Sequence, residues 1–154
     1  MKQVDDVDFA SVYNKSLDLI SRREHSTFEL IQKLKKRYGS IVILDEVILK
    51  LQHLKLLDDH RFAEAYIKAR SRKGFGPIRI EAELRQRRVN ESVITSELRN
   101  IEDWHLLART AFKKKFSNFQ KDTQLILKAK IFLQNRGFSY EQIEFCRSEE
   151  HTSE

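Results

Sequence analysis

Few residues in this sequence have the types and spacing that catalysis or metal binding requires. The most suggestive run is Asp58-Asp59-His60, in which two carboxylates directly precede an imidazole. Side chains in direct succession rarely converge on one ion, whereas acidic residues at a helix start cap free amides and complement the helix dipole. We therefore interpret this run as the beginning of a helix and predict no metal site there.

The histidines and the cysteine also lack the patterns of ligands or nucleophiles. The five histidines show no His-x-x-x-His spacing, which is common in zinc sites. Cys146 is the only cysteine, so no disulfide forms within the chain, and such usage is typical of a reducing cytosol. We expect Cys146 to pack within the last helix. The sequence therefore predicts a protein that is not an enzyme, with no catalytic residue, metal or cofactor.

The stretch Lys73-Gly-Phe-Gly-Pro77 raises the question of a phosphate-binding loop. It lacks the spacing of a P-loop, and it follows a predicted helix rather than the strand that a dinucleotide fingerprint requires. Proline is well suited to the first turn of a helix, where its missing N–H costs nothing. We interpret the stretch as a junction between two helices, with the amides of Ile78 and Arg79 still available to an anion.

The distribution of charge favours an anionic partner. The chain has 154 residues and a net charge of +6. Eight basic and two acidic residues lie between Lys68 and Arg88, and seven basic and one acidic residue lie between Lys113 and Arg136. Basic tracks of this kind bind polyanions in a salt-dependent and sequence-independent way. A nucleic acid and an acidic protein surface both remain open, and so does a face that is merely solvated.

The sequence contains no sign of a membrane or secretory segment. No apolar run approaches 18 residues, and the N-terminus is acidic without the apolar core of a signal peptide. We expect a cytoplasmic protein that does not contact the membrane.

Signals for helices predominate along the chain. Ser26-Thr-Phe-Glu29 and Ser139-Tyr-Glu-Gln142 match the capping box, in which a hydroxyl and a carboxylate or amide satisfy free amides reciprocally. Further N-cap candidates are Asp58 or Asp59, Asn90 and Asp122. Only the run from 41 to 44 looks like a strand, and the fold class predicted is all-α.

The sequence also repeats itself weakly. Leu34, Leu84 and Leu133 recur at offsets of 50 and 49, each followed three residues later by an arginine. We predict three tandem three-helix repeats that form an elongated, curved row. The predicted repeats span residues 10–57, 58–101 and 102–146. Residues 1–9 are predicted to be a flexible acidic arm, and residues 147–154 a disordered tail that reads as a sequence artefact.

Several motifs, in this order, resemble the RecX family of bacterial recombination regulators. They are Ser21-Arg-Arg-Glu-His-Ser26, Leu57-Asp-Asp-His-Arg-Phe-Ala63, Gly76-Pro-Ile-Arg-Ile80, and Phe132-Leu133 with Arg136-Gly-Phe-Ser-Tyr140. The resemblance covers about residues 10 to 146. One departure is Arg88, which stands where the family usually has a glycine in the turn after a helix.

The resemblance implies a regulator that is not an enzyme and binds the RecA filament. Such proteins contact RecA protomers and DNA, and they damp the ATPase, strand-exchange and co-protease activities of RecA. This would place the chain in the control of DNA repair and the SOS response, as a monomer with weak, sequence-independent affinity for single- and double-stranded DNA. Two alternatives are a general basic helical module that binds nucleic acid and an adaptor for an acidic protein.

Basic residues are the expected contacts with the filament or its DNA. The candidates are Arg22, Arg23, Arg72, Lys73, Arg79, Arg85, Arg87, Lys113, Lys114, Lys115, Lys128 and Arg136. The expected core residues are Leu30, Leu34, Phe62, Tyr66, Ile80, Leu84 and Leu133.

Overall fold

The structure, a computed structural model, describes residues 7–116 and 123–152, and within those ranges it consists of nine α-helices. They are α1 (Phe9–Arg22), α2 (Thr27–Tyr38), α3 (Ile43–His53), α4 (Asp59–Arg72), α5 (Pro77–Gln86), α6 (Glu91–Arg99), α7 (Trp104–Lys115), α8 (Thr123–Asn135) and α9 (Tyr140–Thr152). The all-α prediction is confirmed, and the run from 41 to 44 leads into α3 rather than forming a strand. None of the helices in the described ranges is both long and apolar enough to cross a membrane.

The helices form three units in a row, each with its own hydrophobic core. The first unit comprises α1–α3, the second α4–α6 and the third α7–α9, and the extensive helix contacts all lie within a unit. Leu34, Leu84 and Leu133 occupy equivalent core positions and are at most 1% exposed. The other expected core residues are also buried, except Tyr66, which is only partly buried against the second core.

Two capping boxes begin helices where the sequence predicts them. The Glu29 amide donates to Ser26 Oγ at 3.1 Å, and the Ser26 amide donates to Glu29 Oε1 at 3.2 Å. In the third unit, the Ser139 amide donates to Gln142 Oε1 at 2.8 Å, and the Gln142 amide donates to Ser139 Oγ at 3.2 Å. These reciprocal bonds satisfy amides that a helix start otherwise leaves free.

Single side chains cap other helices. Of the two candidates at the start of α4, Asp58 is the cap and Asp59 is the first helical residue, and Asn90 caps α6 as predicted. Asp103 caps α7, which the sequence analysis did not anticipate. The remaining candidate, Asp122, lies outside the described residues.

Regular structure reaches into the described parts of both predicted terminal segments. Val7 and Phe9 pack against the first core, and Asp8 accepts a hydrogen bond from the Ser11 amide at 2.8 Å, so the arm predicted over residues 1–9 is wrong for residues 7–9. At the other end, α9 continues to Thr152, beyond the predicted end of order at Cys146. The cap at Asp8 and the continuation of α9 thus lie within segments that the sequence assigns to the arm and the tail.

The turns that end α5 and α8 share one backbone pattern. The Val89 amide donates to the Leu84 carbonyl at 3.2 Å, and the Phe138 amide donates to the Leu133 carbonyl at 3.1 Å. Each turn passes through a left-handed residue, which is Gly137 in the third unit (φ 93°) and Arg88 in the second (φ 58°). This pattern closes the last helical turn and favours glycine, so an arginine there costs about 1 kcal/mol.

The joint between the first and second units consists of side-chain contacts. Asp59 Oδ1 accepts hydrogen bonds from the Thr27 amide at 2.7 Å and from Thr27 Oγ1 at 3.0 Å. Arg61 Nε donates to Glu24 Oε1 at 2.6 Å, and the Arg88 guanidinium lies over the Phe28 ring at 5.3 Å. Asp59 thus satisfies a first-turn amide of α2, while Asp58 caps its own helix.

The joint between the second and third units also contains direct hydrogen bonds between backbones. The Gly76 amide donates to the Arg136 carbonyl at 2.7 Å, and the Ile78 amide donates to the Gly137 carbonyl at 2.9 Å. A Cβ on Gly76 would lie 2.5 Å from the Gly137 carbonyl carbon, so the contact requires glycine. The expectation that the Ile78 amide remains available to an anion is therefore wrong.

His25 is a buried histidine that the first unit holds in its neutral form. The residue is 2% exposed, with Nδ1 3.0 Å from the Arg23 carbonyl and Nε2 2.8 Å from Lys33 Nζ. Because a lysine ammonium only donates, Nε2 is the acceptor and the proton sits on Nδ1. Burial lowers the pKa of His25 below its ordinary 6.5.

This arrangement predicts that acid destabilises the first unit. The pKa of His25 is near 6.5 in the unfolded chain and lower in the folded protein. The contribution of the neutral ring to the free energy of unfolding is therefore complete above pH 6.5 and is lost as the pH falls below it, because the unfolded chain then binds more protons. Urea unfolding at pH 7.5, 6.5 and 5.5 measures the loss. The variant His25→Gln should show a shallower pH dependence of the unfolding free energy over this interval, because the other four histidines are common to both proteins. An identical pH dependence in the variant would contradict the assignment.

Candidate functional site

A groove of about 490 Å³ lies where the second unit meets the third. Five cationic residues line it, and we call it the basic groove: Arg72, Lys73, Lys114, Lys115 and Arg136. Its apolar floor comes from Leu107, Ala111 and Phe132, with Gly74 and the hydroxyl residues Ser71 and Thr110 at its sides. The two basic clusters of the sequence thus meet in one place.

Three helix ends bring these cations together. Arg72 is the last residue of α4 and Lys73 its C-cap, Lys114 and Lys115 lie in the last turn of α7, and Arg136 directly follows α8. Each helix C-terminus carries about half a negative charge. Three such ends offset roughly 1.5 of the five positive charges, so the groove keeps a clear positive excess.

Arg136 is the most firmly held of the five cations. Its Nη1 donates to the Lys73 carbonyl at 3.1 Å, and its guanidinium lies 4.7 Å from the Phe75 ring centroid and 5.0 Å from that of Phe132. These contacts fix the guanidinium across the joint between the units. Arginine suits this position because its planar group donates while it also stacks on aromatic rings.

The other groove cations are free to meet a ligand. In the part of the chain that the structure describes, Arg72, Lys73 and Lys114 form no ion pair, and no carboxylate lines the groove. Lys115 Nζ lies over the Phe132 ring at 5.9 Å and is exposed. Exposed cations without acidic neighbours can attract an anion without first giving up a partner.

Arg79, Arg85 and Arg87 lie outside the groove and already have protein partners. Arg79 lies over the Phe75 ring at 4.4 Å, and its Nη1 is 3.3 Å from the Asn135 carbonyl. Arg85 forms ion pairs with two carboxylates, those of Glu81 and Glu91.

Arg87 packs on the surface of its own unit. It lies over the Tyr66 ring at 4.8 Å and donates from Nη1 to the Glu83 carbonyl at 2.9 Å. Burial raises the pKa of Tyr66, so its hydroxyl keeps its proton and the ring remains neutral beneath the guanidinium.

Arg22 and Arg23 lie at the end of α1, in the first unit and away from the groove. Arg22 pairs with Asp18 at 3.0 Å, and Arg23 pairs with Glu29 at 2.9 Å. Burial alone would raise the pKa of Glu29, but hydrogen bonds from Arg23 and the Ser26 amide hold it below its usual value. The last two candidates, Lys113 and Lys128, are exposed and do not line the groove.

Phe75 is a central residue of the joint that the sequence analysis missed. Three guanidiniums surround its ring, those of Arg70 at 3.8 Å, Arg79 at 4.4 Å and Arg136 at 4.7 Å. Arg70 is itself held by two hydrogen bonds to Glu83, at 3.0 and 2.9 Å. The available signal was an aromatic residue between two glycines, with arginines on both sides in the sequence.

The described residues include no group of three histidine, cysteine, aspartate or glutamate side chains that could hold a metal ion. Cys146, at 3% exposure, packs in the third core as expected.

Comparison with known proteins places two of the three units in one family. The profile described as "RecX, second three-helix domain" matches residues 58–98, and that described as "RecX, first three-helix domain" matches residues 13–51. These ranges lie within the second and first units of the structure.

Curated relatives extend this similarity over most of the chain. A protein named Regulatory protein RecX from Halorhodospira halophila is 38% identical over 135 residues, which cover 86% of this chain and 84% of the relative. The protein of that name from Vibrio campbellii is 40% identical over 136 residues, covering 86% and 87%.

Solved structures agree on the fold. A crystal structure of a regulatory protein RecX superposes with a TM-score of 0.80 at 26% identity, over 91% of this chain and 73% of the other. RecX from Lactobacillus salivarius superposes with a TM-score of 0.79 at 23% identity, over 92% and 95%, which supports the fold alone.

Proposed function

Because the chain belongs to the RecX family of regulatory proteins, we propose that it binds the RecA nucleoprotein filament and inhibits its ATPase, strand-exchange and co-protease activities. The protein acts as a cytoplasmic monomer without chemistry of its own. Its role is to restrain recombination and the SOS response during DNA repair.

The observation that carries this proposal is the kinship with proteins named as regulators over most of the chain. The structure adds physical support, because three units in a row present a long surface suited to an extended partner. The basic groove supplies an unpaired positive patch for the DNA of a filament. Binding of phosphates there would be sequence-independent and weakened by salt.

The proposal predicts that the protein slows DNA-dependent ATP hydrolysis by RecA at substoichiometric amounts. A protein that acts on an assembled filament affects many protomers at once, so one copy per several RecA protomers should suffice. Steady-state ATPase assays on preformed filaments measure this, with RecA alone as the reference. No inhibition at equimolar protein would contradict the proposal.

A second candidate function is a general nucleic-acid-binding module, which the absence of carboxylates from the described lining of the groove favours. Such a module would inhibit RecA only by occupying its DNA. Inhibition would then follow the ratio of protein to DNA and disappear when more single-stranded DNA is added. A filament regulator instead keeps its effect when the DNA is in excess over the protein.

A further inference from the structure

We propose that the basic groove holds one nucleotide of a single-stranded nucleic acid. The phosphodiester contacts the lysines and arginines, and the base packs against the floor of Leu107, Ala111 and Phe132. This rests on the proposed function, because it names the component of the nucleoprotein filament that the groove takes. The same groove then has two parts, a charged wall and an apolar floor.

The charged wall fits a phosphodiester rather than a neutral ligand. Its five cations outweigh the partial negative charge of the three helix ends about threefold. Arg136 is fixed by the Lys73 carbonyl and by two aromatic rings, whereas Lys114 and Lys115 are exposed at the end of α7. A fixed guanidinium flanked by flexible lysine ammonium groups can follow a backbone whose phosphates vary in position.

The apolar floor distinguishes a single strand from a duplex. A volume of about 490 Å³ lies within the range of sites that enclose small organic groups. A single strand can place an unstacked base in such a hollow, whereas a duplex keeps its bases stacked inside and presents mainly phosphates. The duplex would therefore use the wall but not the floor.

The two hydroxyl residues beside the floor have their protons engaged. Thr110 Oγ1 donates to the Leu106 carbonyl at 2.9 Å, and Ser71 Oγ donates to the Lys68 carbonyl at 3.1 Å. Each hydroxyl oxygen keeps acceptor capacity that suits an N–H donor better than a phosphate oxygen. The imino and amino groups of bases are such donors, so these hydroxyls complement a base.

The role of the charged wall can be tested by the fluorescence anisotropy of a labelled oligothymidylate of about 15 nucleotides. The oligonucleotide is titrated with the full chain in the absence of RecA. The variant pair Lys114→Gln and Lys115→Gln should weaken binding roughly tenfold and flatten the slope of log affinity against log salt by about 1.4. The matched control is Lys113→Gln with Lys128→Gln, which removes the same charge from exposed positions outside the groove. Equal losses for the two pairs would overturn the assignment to the groove.

A strand of the same length without bases tests the floor without altering the protein. It carries the same phosphates, so we expect binding several-fold weaker than that of oligothymidylate with the same salt slope. Equal affinity for the two strands would mean that only phosphates are recognised, and it would overturn the seating of a base.

A duplex of equal length tests the preference for a single strand. Because only the single strand can also use the floor, we expect the wild-type protein to bind oligothymidylate more tightly than the duplex at the same salt concentration. Equal or tighter binding of the duplex would overturn the assignment to a single strand.

Failure of this inference is distinguishable from failure of the proposed function. If the wild-type protein inhibits the RecA ATPase but both double variants bind oligothymidylate equally, the groove assignment fails and filament regulation stands. If only the groove variant loses binding while the wild-type protein leaves the ATPase unchanged, the groove assignment stands and filament regulation fails.

Discussion

Replacing Gly137 with alanine is expected to destabilise the protein by about 3 kcal/mol and to disrupt the joint between the second and third units. Its φ of 93° strains any residue with a Cβ, and the added carbon would overlap Arg79 Cβ across the joint. The strain and the overlap both arise where the amides of Gly76 and Ile78 donate hydrogen bonds to the third unit, so the substitution weakens these hydrogen bonds. Urea unfolding followed by the fluorescence of Trp104, the single tryptophan, measures the loss.

Two other glycines separate the causes of that loss. Gly39 also has a positive φ, 76°, with a ψ of −174° that is almost exclusive to glycine, but a Cβ there would meet nothing within 4 Å, so Gly39→Ala reports strain alone and should cost about 2 kcal/mol. Gly76 has an ordinary φ of −94°, so Gly76→Ala reports the overlap alone and should cost about 1–3 kcal/mol. A Gly137→Ala loss no greater than that of Gly39→Ala would refute the role of the contact.

Truncating Leu34 to alanine is expected to cost about 3 kcal/mol and to unfold the first unit separately from the rest. The side chain is fully buried in a core that the first unit does not share with its neighbours. The joint to the second unit consists of a few side-chain contacts, those of Asp59, Arg61 and Arg88, so it transmits less stability than a shared core would. In a row of units, stability is a sum over units and their interfaces, so a weak interface permits local unfolding.

Two probes distinguish local from global unfolding in this variant. Trp104 packs against the second and third cores, so its fluorescence reports those units, while far-ultraviolet circular dichroism reports all helices. For Leu34→Ala, the loss of dichroism should begin at lower urea than the change in fluorescence. For the control Leu133→Ala, in the third core, the tryptophan signal should shift to lower urea. Coincident transitions in Leu34→Ala would contradict an independent first unit.

Sequence reasoning was most successful where the physical cause is local. A capping box is complete within four residues, so Ser26 with Glu29 and Ser139 with Gln142 were identifiable without tertiary information. The recurrence of Leu34, Leu84 and Leu133 similarly located the three cores, because each leucine faces the same side of the middle helix in its unit.

The joints were hidden because their partners are distant in the sequence. Gly76 and Gly137 form one backbone contact across 61 positions, and nothing near either residue identifies the other. Asp59 was likewise read as part of its own helix start, although its acceptor oxygen serves Thr27 in the neighbouring unit. Helix propensity and the spacing of apolar residues predict where a helix forms, but they do not predict which part of a neighbouring unit packs against that helix.

The sequence predicted which basic residues could bind an anionic partner, but it did not predict which of them line one groove. Charge counting treats Arg85 and Lys114 alike, yet Arg85 is held by two carboxylates while Lys114 lines an uncompensated groove. Even the run Lys113–Lys115 divides, because successive helical residues point about 100° apart and only two of the three face the groove.

The glycine contact between the second and third units has a consequence for how this protein can change by mutation. The two hydrogen bonds of this contact join backbone atoms, so substitutions of side chains other than those at Gly76 and Gly137 leave them in place. The first unit is attached through side chains, among them Asp59 on Thr27 and Arg61 on Glu24. A single substitution at these residues can change the orientation of the first unit relative to the second. Substitutions at the joint between the first and second units can therefore fit the protein to a partner of different shape, while the basic groove between the second and third units is preserved.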